Sequence, residues 1–215
     1  MRTFQGPVYQ QSGPCCGAAA AINTLRVFEV IDIPDVGNRA ATYRKLEGIV
    51  FLSTRTSAKI AGLGSTPSKV VRYVAERLRS AGVSFELALA NDVATNPALG
   101  NYKSLQGLIN AGLLKSLKRA IADINNVDIA PTTDTFTPDD VIIRFLDIGG
   151  SANAHFIVQT NFPEKGPCQF LDSGRSQNMD RLTSYASYAA FLEDNSVREY
   201  RCTGMDAVFT DSRKN

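Results

Sequence analysis

The stretch that most limits how this chain can fold is "QQSGPCCGAAAAINTL", residues 10–25. Beyond its Ser-Gly-Pro turn, Ile22, Leu25 and Phe28 fall at helical spacing, which predicts a helix from Cys16 to about Phe28. The alanines between them are small enough for close packing, so the helix suits burial against other elements. Two adjacent cysteines stand at its start. Thiols and alanines both fit a tight contact, but a helix N-terminus also favours a negatively charged sulfur, because its unpaired N–H groups point there. Packing and chemistry are both open at this point, and the rest of the chain has to separate them.

"DIPDVGN" breaks the first helix. In "STPSKVVRYVAERLRSAG", Thr66 is a candidate cap, Pro67 takes the first helical position and Gly82 follows the end, with Val70, Val74 and Leu78 along one face. "VSFELAL" alternates as a half-buried strand does. A longer amphipathic helix is predicted through Leu105, Ile109, Leu113, Leu117 and Ile121, with Gly112 inside it. The second half reads as sheet: "DVIIRFLDIG", then "AHFIVQTNF" and "CQFLD" joined by the turn "PEKGP". "SYASYAAFLEDN" reads as a short surface helix, and "REYRC" and "DAVFTD" as further strands. Helices first and strands afterwards predict an α+β fold. The expected organisation is one domain over the 215 residues, with a helical lobe over about 1–130 and a sheet lobe over about 131–215.

Composition narrows the function. A net charge of +2 gives no reason to expect nucleic acid or an anionic membrane as partner. No stretch approaches the roughly 18 apolar residues of a membrane span. "MRTFQGPVYQ" lacks the apolar core of a secretory signal, which leads us to expect a cytoplasmic protein or one exported without a cleavable leader. Four cysteines are too few for a disulfide scaffold of this size, although a Cys168–Cys202 bridge stays open. A single histidine and no paired C-x-x-C spacing argue against zinc.

That histidine, His155, opens the strand "AHFIVQTNF". Asp172 closes "CQFLD" 17 residues later, before Ser173 and Gly174. Two antiparallel strands joined by a turn bring such residues together across the ladder. A carboxylate there is expected to accept the imidazole Nδ1–H, leaving Nε2 outward as a base. The alternative is that Asp172 serves only its turn. His155 would supply the second feature that activates a thiol, an adjacent imidazolium. The third requirement is a site for the oxyanion formed when a carbonyl is attacked. The backbone N–H of Cys16 offers one donor, and Gln10, six residues earlier, offers an amide that the Ser-Gly-Pro turn can bring back. Gly17 would allow a substrate backbone to approach. Cys15, Gln11, and Asp147 or Asn153 are the respective alternatives to Cys16, Gln10 and Asp172.

Gln10, then Cys16-Gly17 opening a helix, then His155, then an acid 17 residues on, resembles the papain-like cysteine peptidases. "QQSGPCCGAAAAINTL" and "HFIVQTNFPEKGPCQFLDSG" also look like bacterial papain-fold peptidases of the bacteriocin-leader-processing type, although Cys15 stands where those enzymes have Asp. His155 follows Cys16 by 139 positions, within the roughly 130–150 of the papain and cathepsin group. The resemblance implies a helical lobe whose nucleophile helix packs on a C-terminal antiparallel sheet. It implies Cys16 as nucleophile, His155 as acid and base, Asp172 as orienting residue and Gln10 as oxyanion donor. It further implies a protein or peptide substrate, no metal or organic cofactor, and a bacterial or phage-like protein, such as an effector acting in a host. Deamidation, amide hydrolysis and acyl transfer use the same residues. A non-catalytic interaction domain on the same scaffold is the competing expectation.

Overall fold

The computed structural model describes residues 4–33, 38–55, 64–91, 115–116, 119, 122, 127–128, 136–148, 154–161, 167–175, 181–195 and 200–214. The first helix, α1, spans Cys16–Val27, and every residue in it except Arg26 is buried. It has no solvent face because α2 (Arg39–Thr54), α3 (Pro67–Ser80) and two strands of the sheet all pack on it. Small side chains permit this crowding. A Cβ on Gly17 would lie 2.4 Å from the Ser65 Cβ and 3.0 Å from Val70 Cγ2. Gly17 is therefore a packing glycine between α1 and the start of α3, rather than a gap left for substrate.

α2 was not legible as a helix. Its buried positions are Tyr43, Glu47, Val50 and Thr54, a helical stripe interrupted by two polar residues. Ile49 and Leu52 meanwhile lie on its open side, 52% and 62% exposed. α3 follows the sequence closely, with Pro67 in its first turn and Gly82 at φ +70° just past its end. Thr66 occupies the cap position without a side-chain cap bond. The helix expected over 105–121 lies outside the described residues, apart from 115–116 and 119.

Among the described residues the sheet has seven strands: β1 (Phe85–Asn91), β2 (Val127–Asp128), β3 (Asp140–Ile148), β4 (Ala154–Thr160), β5 (Cys168–Leu171), β6 (Leu182–Tyr185) and β7 (Tyr200–Asp211). Their order is β2-β1-β7-β3-β4-β5-β6, and all neighbours are antiparallel except β1 and β2. The fold is α+β, with α1 lying on β3 and β4, as expected. Two details differ from expectation. The described part of "REYRC", from Tyr200 on, and "DAVFTD" belong to one long strand, β7, and "SYASYAAFLEDN" divides between the end of β6 and a shorter helix, α4 (Tyr188–Asp194), capped by Ser187. A Cys168–Cys202 bridge is ruled out by strand order. β3 and β4 lie between β5 and β7, which puts the two residues at least about 14 Å apart at ~4.8 Å per strand, and Cys168 is a free thiol.

Two apolar clusters cover the two sides of the sheet. One joins the helices to Val141, Ile143, Phe156, Val158 and Phe209. The other gathers Ile142, Ile157, Phe170, Phe191 and Tyr200. Among the described residues no helix is long and apolar enough to cross a membrane.

Candidate active site

Alternation along β4 sends Phe156 and Val158 to the helix side and Ile157 to the other. By the same alternation His155 belongs with the second cluster, where its ring stacks on Tyr200 at 5.3 Å. Yet it also hydrogen-bonds to Cys16, the first residue of α1. The site therefore lies at the end of β4, where the two layers meet.

The β4–β5 ladder pairs Val158 with Leu171. Carried on in the same register, it sets His155 level with Gly174 and makes Asp172 the diagonal neighbour. The imidazole reaches that neighbour with its far nitrogen, Nε2, 2.8 Å from Asp172 Oδ1. The expectation that Nδ1 would serve the carboxylate is thus corrected. Nε2 is taken by Asp172, and Nδ1, the nitrogen nearer the backbone, is the one left for Cys16.

Asp172 is fully buried and surrounded by donors. Its Oδ1 also accepts the Gly174 N–H at 2.9 Å, and its Oδ2 accepts the Tyr200 hydroxyl at 3.0 Å. Arg175 Nε lies 3.9 Å from Oδ2. Burial alone would raise the carboxyl's pKa, but the bonds from His155, Tyr200 and Gly174 hold it below the usual carboxylate value. For His155, burial works downward. The hydrogen bonds to Asp172 and Cys16, with the charges of both, outweigh it and push the imidazole up from 6.5 to about 9. Gly174 has to be glycine here, since a Cβ would sit 2.7 Å from His155 Cε1.

Exposure does not separate the two thiols, with Cys15 at 8% and Cys16 at 6%. Their neighbours do. Cys16 faces the imidazole, at a helix start with no side-chain cap and no acidic residue in its first turn. Cys15 faces inward, and burial, then the charges of Glu47 and Cys16, push its thiol up to about 11. Glu47 is buried on α2, and both its oxygens lie near the Ser12 N–H, at 3.2 and 3.1 Å.

The segment before Cys15 is strapped to both layers. Phe4 N–H binds Gln169 Oε1, Gln11 N–H binds Ser173 O, and Ser12 N–H binds Glu47. Gln11 spends both ends of its amide locally, accepting from Ser173 Oγ at 3.0 Å and donating to Gly13 O at 2.9 Å. Gln10 is exposed, and its Oε1 accepts from Arg181 Nη2 at 3.1 Å. Of the residues singled out from sequence, Cys16, His155 and Asp172 are in contact, and Gln10 lies on the strap two residues from Ser12. The Asp147 side chain and Asn153 lie outside the described residues. Tyr200, Gly174 and Arg181 were not foreseen. Gly174 had a signal, as a glycine two residues past the acid, whereas Tyr200 and Arg181 had none.

No protein-family model matches the chain, and no curated protein does so either. Among solved structures, the chain is similar to the crystal structure of a double glycine motif protease from an AMS/PCAT transporter in complex with the leader peptide. The identity is 14%, the alignment covers 98% of this chain and 94% of that one, and the TM-score is 0.44. That likeness is too distant to bear on the site.

Proposed function

We propose that this chain is a cysteine peptidase, cleaving a peptide or amide bond of a protein or peptide substrate through an acyl-enzyme. The observation that carries the reading is the unbroken hydrogen-bonded line Cys16–His155–Asp172, with the imidazole pushed up to about 9. A protonated imidazole donates from both nitrogens. One proton goes to Asp172, so the sulfur on the other side acts as acceptor, and that is the resting state of a thiol nucleophile.

Cys16 Sγ attacks the carbonyl carbon, and the carbonyl electron pair moves onto oxygen. The Cys16 N–H and the Gln10 amide stabilise that oxyanion. The Nδ1 proton passes to the leaving nitrogen as the C–N bond breaks. A water molecule then gives a proton to Nδ1 and its oxygen to the acyl carbon, the C–S bond breaks, and the carboxylic acid departs. Asp172 stays ionised throughout and holds the ring in one orientation.

The test compares wild type with Cys16→Ala and Cys15→Ala in a proteome-wide search for new peptide termini. Cys16→Ala is expected to abolish them while the chain still unfolds cooperatively, and Cys15→Ala to keep most. The reverse pattern would overturn the assignment. Gln-to-Glu conversion without new termini would turn the same site into a deamidase. Equal, slow iodoacetamide labelling of Cys15, Cys16 and Cys168 at mildly acidic pH would favour a non-catalytic interaction domain.

A further inference from the structure

The geometry points to Arg181 as a positioning residue that decides which end of the Gln10 amide faces the reacting carbonyl. The inference rests on the reading above, in which Cys16 attacks a carbonyl and Gln10 stabilises its oxyanion. An arginine side chain has donors only. Its bond to Gln10 Oε1 therefore fixes the amide with oxygen toward Arg181 and Nε2, the donor end, turned away from it. A lone amide at an exposed position would turn either way, and with oxygen forward it would repel an oxyanion.

The guanidinium is itself held. Arg181 Nε donates to Arg175 O at 3.1 Å, and the Arg181 carbonyl accepts the Asp172 N–H at 2.9 Å. One residue thus ties the proposed oxyanion donor to the acid that orients His155. Next to it, Gln11 and Ser173 exchange a backbone and a side-chain bond, so Gln10 cannot drift from the turn at 172–175. An exposed hydrogen bond of this kind adds little to folding stability. Its effect belongs in the reaction.

The test uses two probes of the same sulfur. Acylation by p-nitrophenyl acetate passes through a tetrahedral oxyanion, whereas alkylation by iodoacetamide displaces iodide at a saturated carbon and needs no oxyanion donor. The readout is the ratio of the two Cys16-dependent rates. Gln10→Ala should lower the ratio by about a hundredfold. Arg181→Glu should do nearly as much, because a carboxylate accepts from the amide NH2 and turns it round. Arg181→Lys, still a donor, should stay within about threefold of wild type, and Arg181→Met should fall between. Adding Arg181→Glu to Gln10→Ala should change nothing further, since the residue acts only through that amide. Iodoacetamide rates should stay within about twofold throughout.

Arg181→Glu and Arg181→Met variants that keep the wild-type ratio, any Arg181 variant that slows both probes equally, or an Arg181→Glu effect that adds fully to Gln10→Ala would overturn the inference while leaving Cys16 as nucleophile. Should Arg181→Glu fail to fold, the Lys and Met pair decides on the same ratio. p-Nitrophenolate release by wild type that equals that of Cys16→Ala would instead remove the underlying function, and the inference with it.

Discussion

The protonation of His155 makes stability depend on pH in a direction that can be worked out. Its pKa is about 9 in the folded chain against 6.5 ordinarily. A group whose pKa is raised by folding stabilises the fold fully below its unfolded value, and that contribution is lost as pH rises through the folded value. At about 1.4 kcal/mol for each tenfold change in proton affinity, the rise corresponds to on the order of 3 kcal/mol. That is a sizeable share of the roughly 5–15 kcal/mol that holds a domain folded. The loss should fall between pH 6.5 and about 9. Asp172 works in the opposite sense. Its folded pKa is held below 3.8, so its contribution is present above that value and is lost as pH falls through the folded one.

The assay is urea unfolding under reducing conditions at pH 6, 7.5, 9 and 10, with His155→Gln as the non-titrating reference. Gln keeps a donor for Asp172 and carries no proton to lose. Groups elsewhere are common to both proteins, so the difference between the two curves isolates the coupled His155–Cys16 pair. Wild type should lose its advantage over His155→Gln by about 3 kcal/mol across that window, at unchanged m-value. Parallel curves would mean that the folded imidazole is neutral near pH 7. The proposed step in which an imidazolium already carries the proton for the leaving nitrogen would then have to be abandoned.

Two further outcomes follow from packing. Gly174→Ala places a methyl 2.7 Å from His155 Cε1 and 3.1 Å from Nε2, so the ring must move off Asp172. Cys16 alkylation should slow by about tenfold or more, with a loss of stability of about 1–3 kcal/mol, and alkylation at the wild-type rate would show that the ring has room. Asn23 is 1% exposed in the middle of α1, and neither end of its amide has a partner among the described residues. Asn23→Leu, which keeps the branched shape with bulkier methyl groups, should raise stability by about 1–3 kcal/mol in thermal melts once the orphaned amide is gone, whereas a lower melting temperature would show that the added bulk outweighs it.

What could be read from sequence, and what could not, divides by the range of the interaction. α3 was legible because its signals are local, with Pro67 in the first turn, Gly82 beyond the end and a clean apolar stripe between. The acid and the imidazole were legible because a hairpin makes them near neighbours and the chain has only one histidine to place. The nitrogen they share was not, because it depends on a register in which Asp172 is diagonal to His155 rather than opposite. α2 was hidden by its own buried face, where Glu47 and Thr54 interrupt the apolar stripe while Ile49 and Leu52 point outward. Glu47 is tolerated inside because Ser12, 35 residues earlier, brings it an N–H, a partner no periodicity can announce.

Tyr200 shows the same limit at the site itself. Its hydroxyl meets Asp172 across 28 residues of chain, and it arrives there on a strand whose place in the sheet is set by β1 and β3 on either side. Two kinds of contact thus hold the imidazole. Gly174 and Asp172 come from the adjacent hairpin, and Tyr200 comes from the second apolar cluster. Because that cluster continues through Phe191 and Phe170, the orientation of the ring depends on packing across the sheet from α1. The thiol is supplied by one layer and the imidazole is held by the other, so neither layer alone would carry the proposed chemistry.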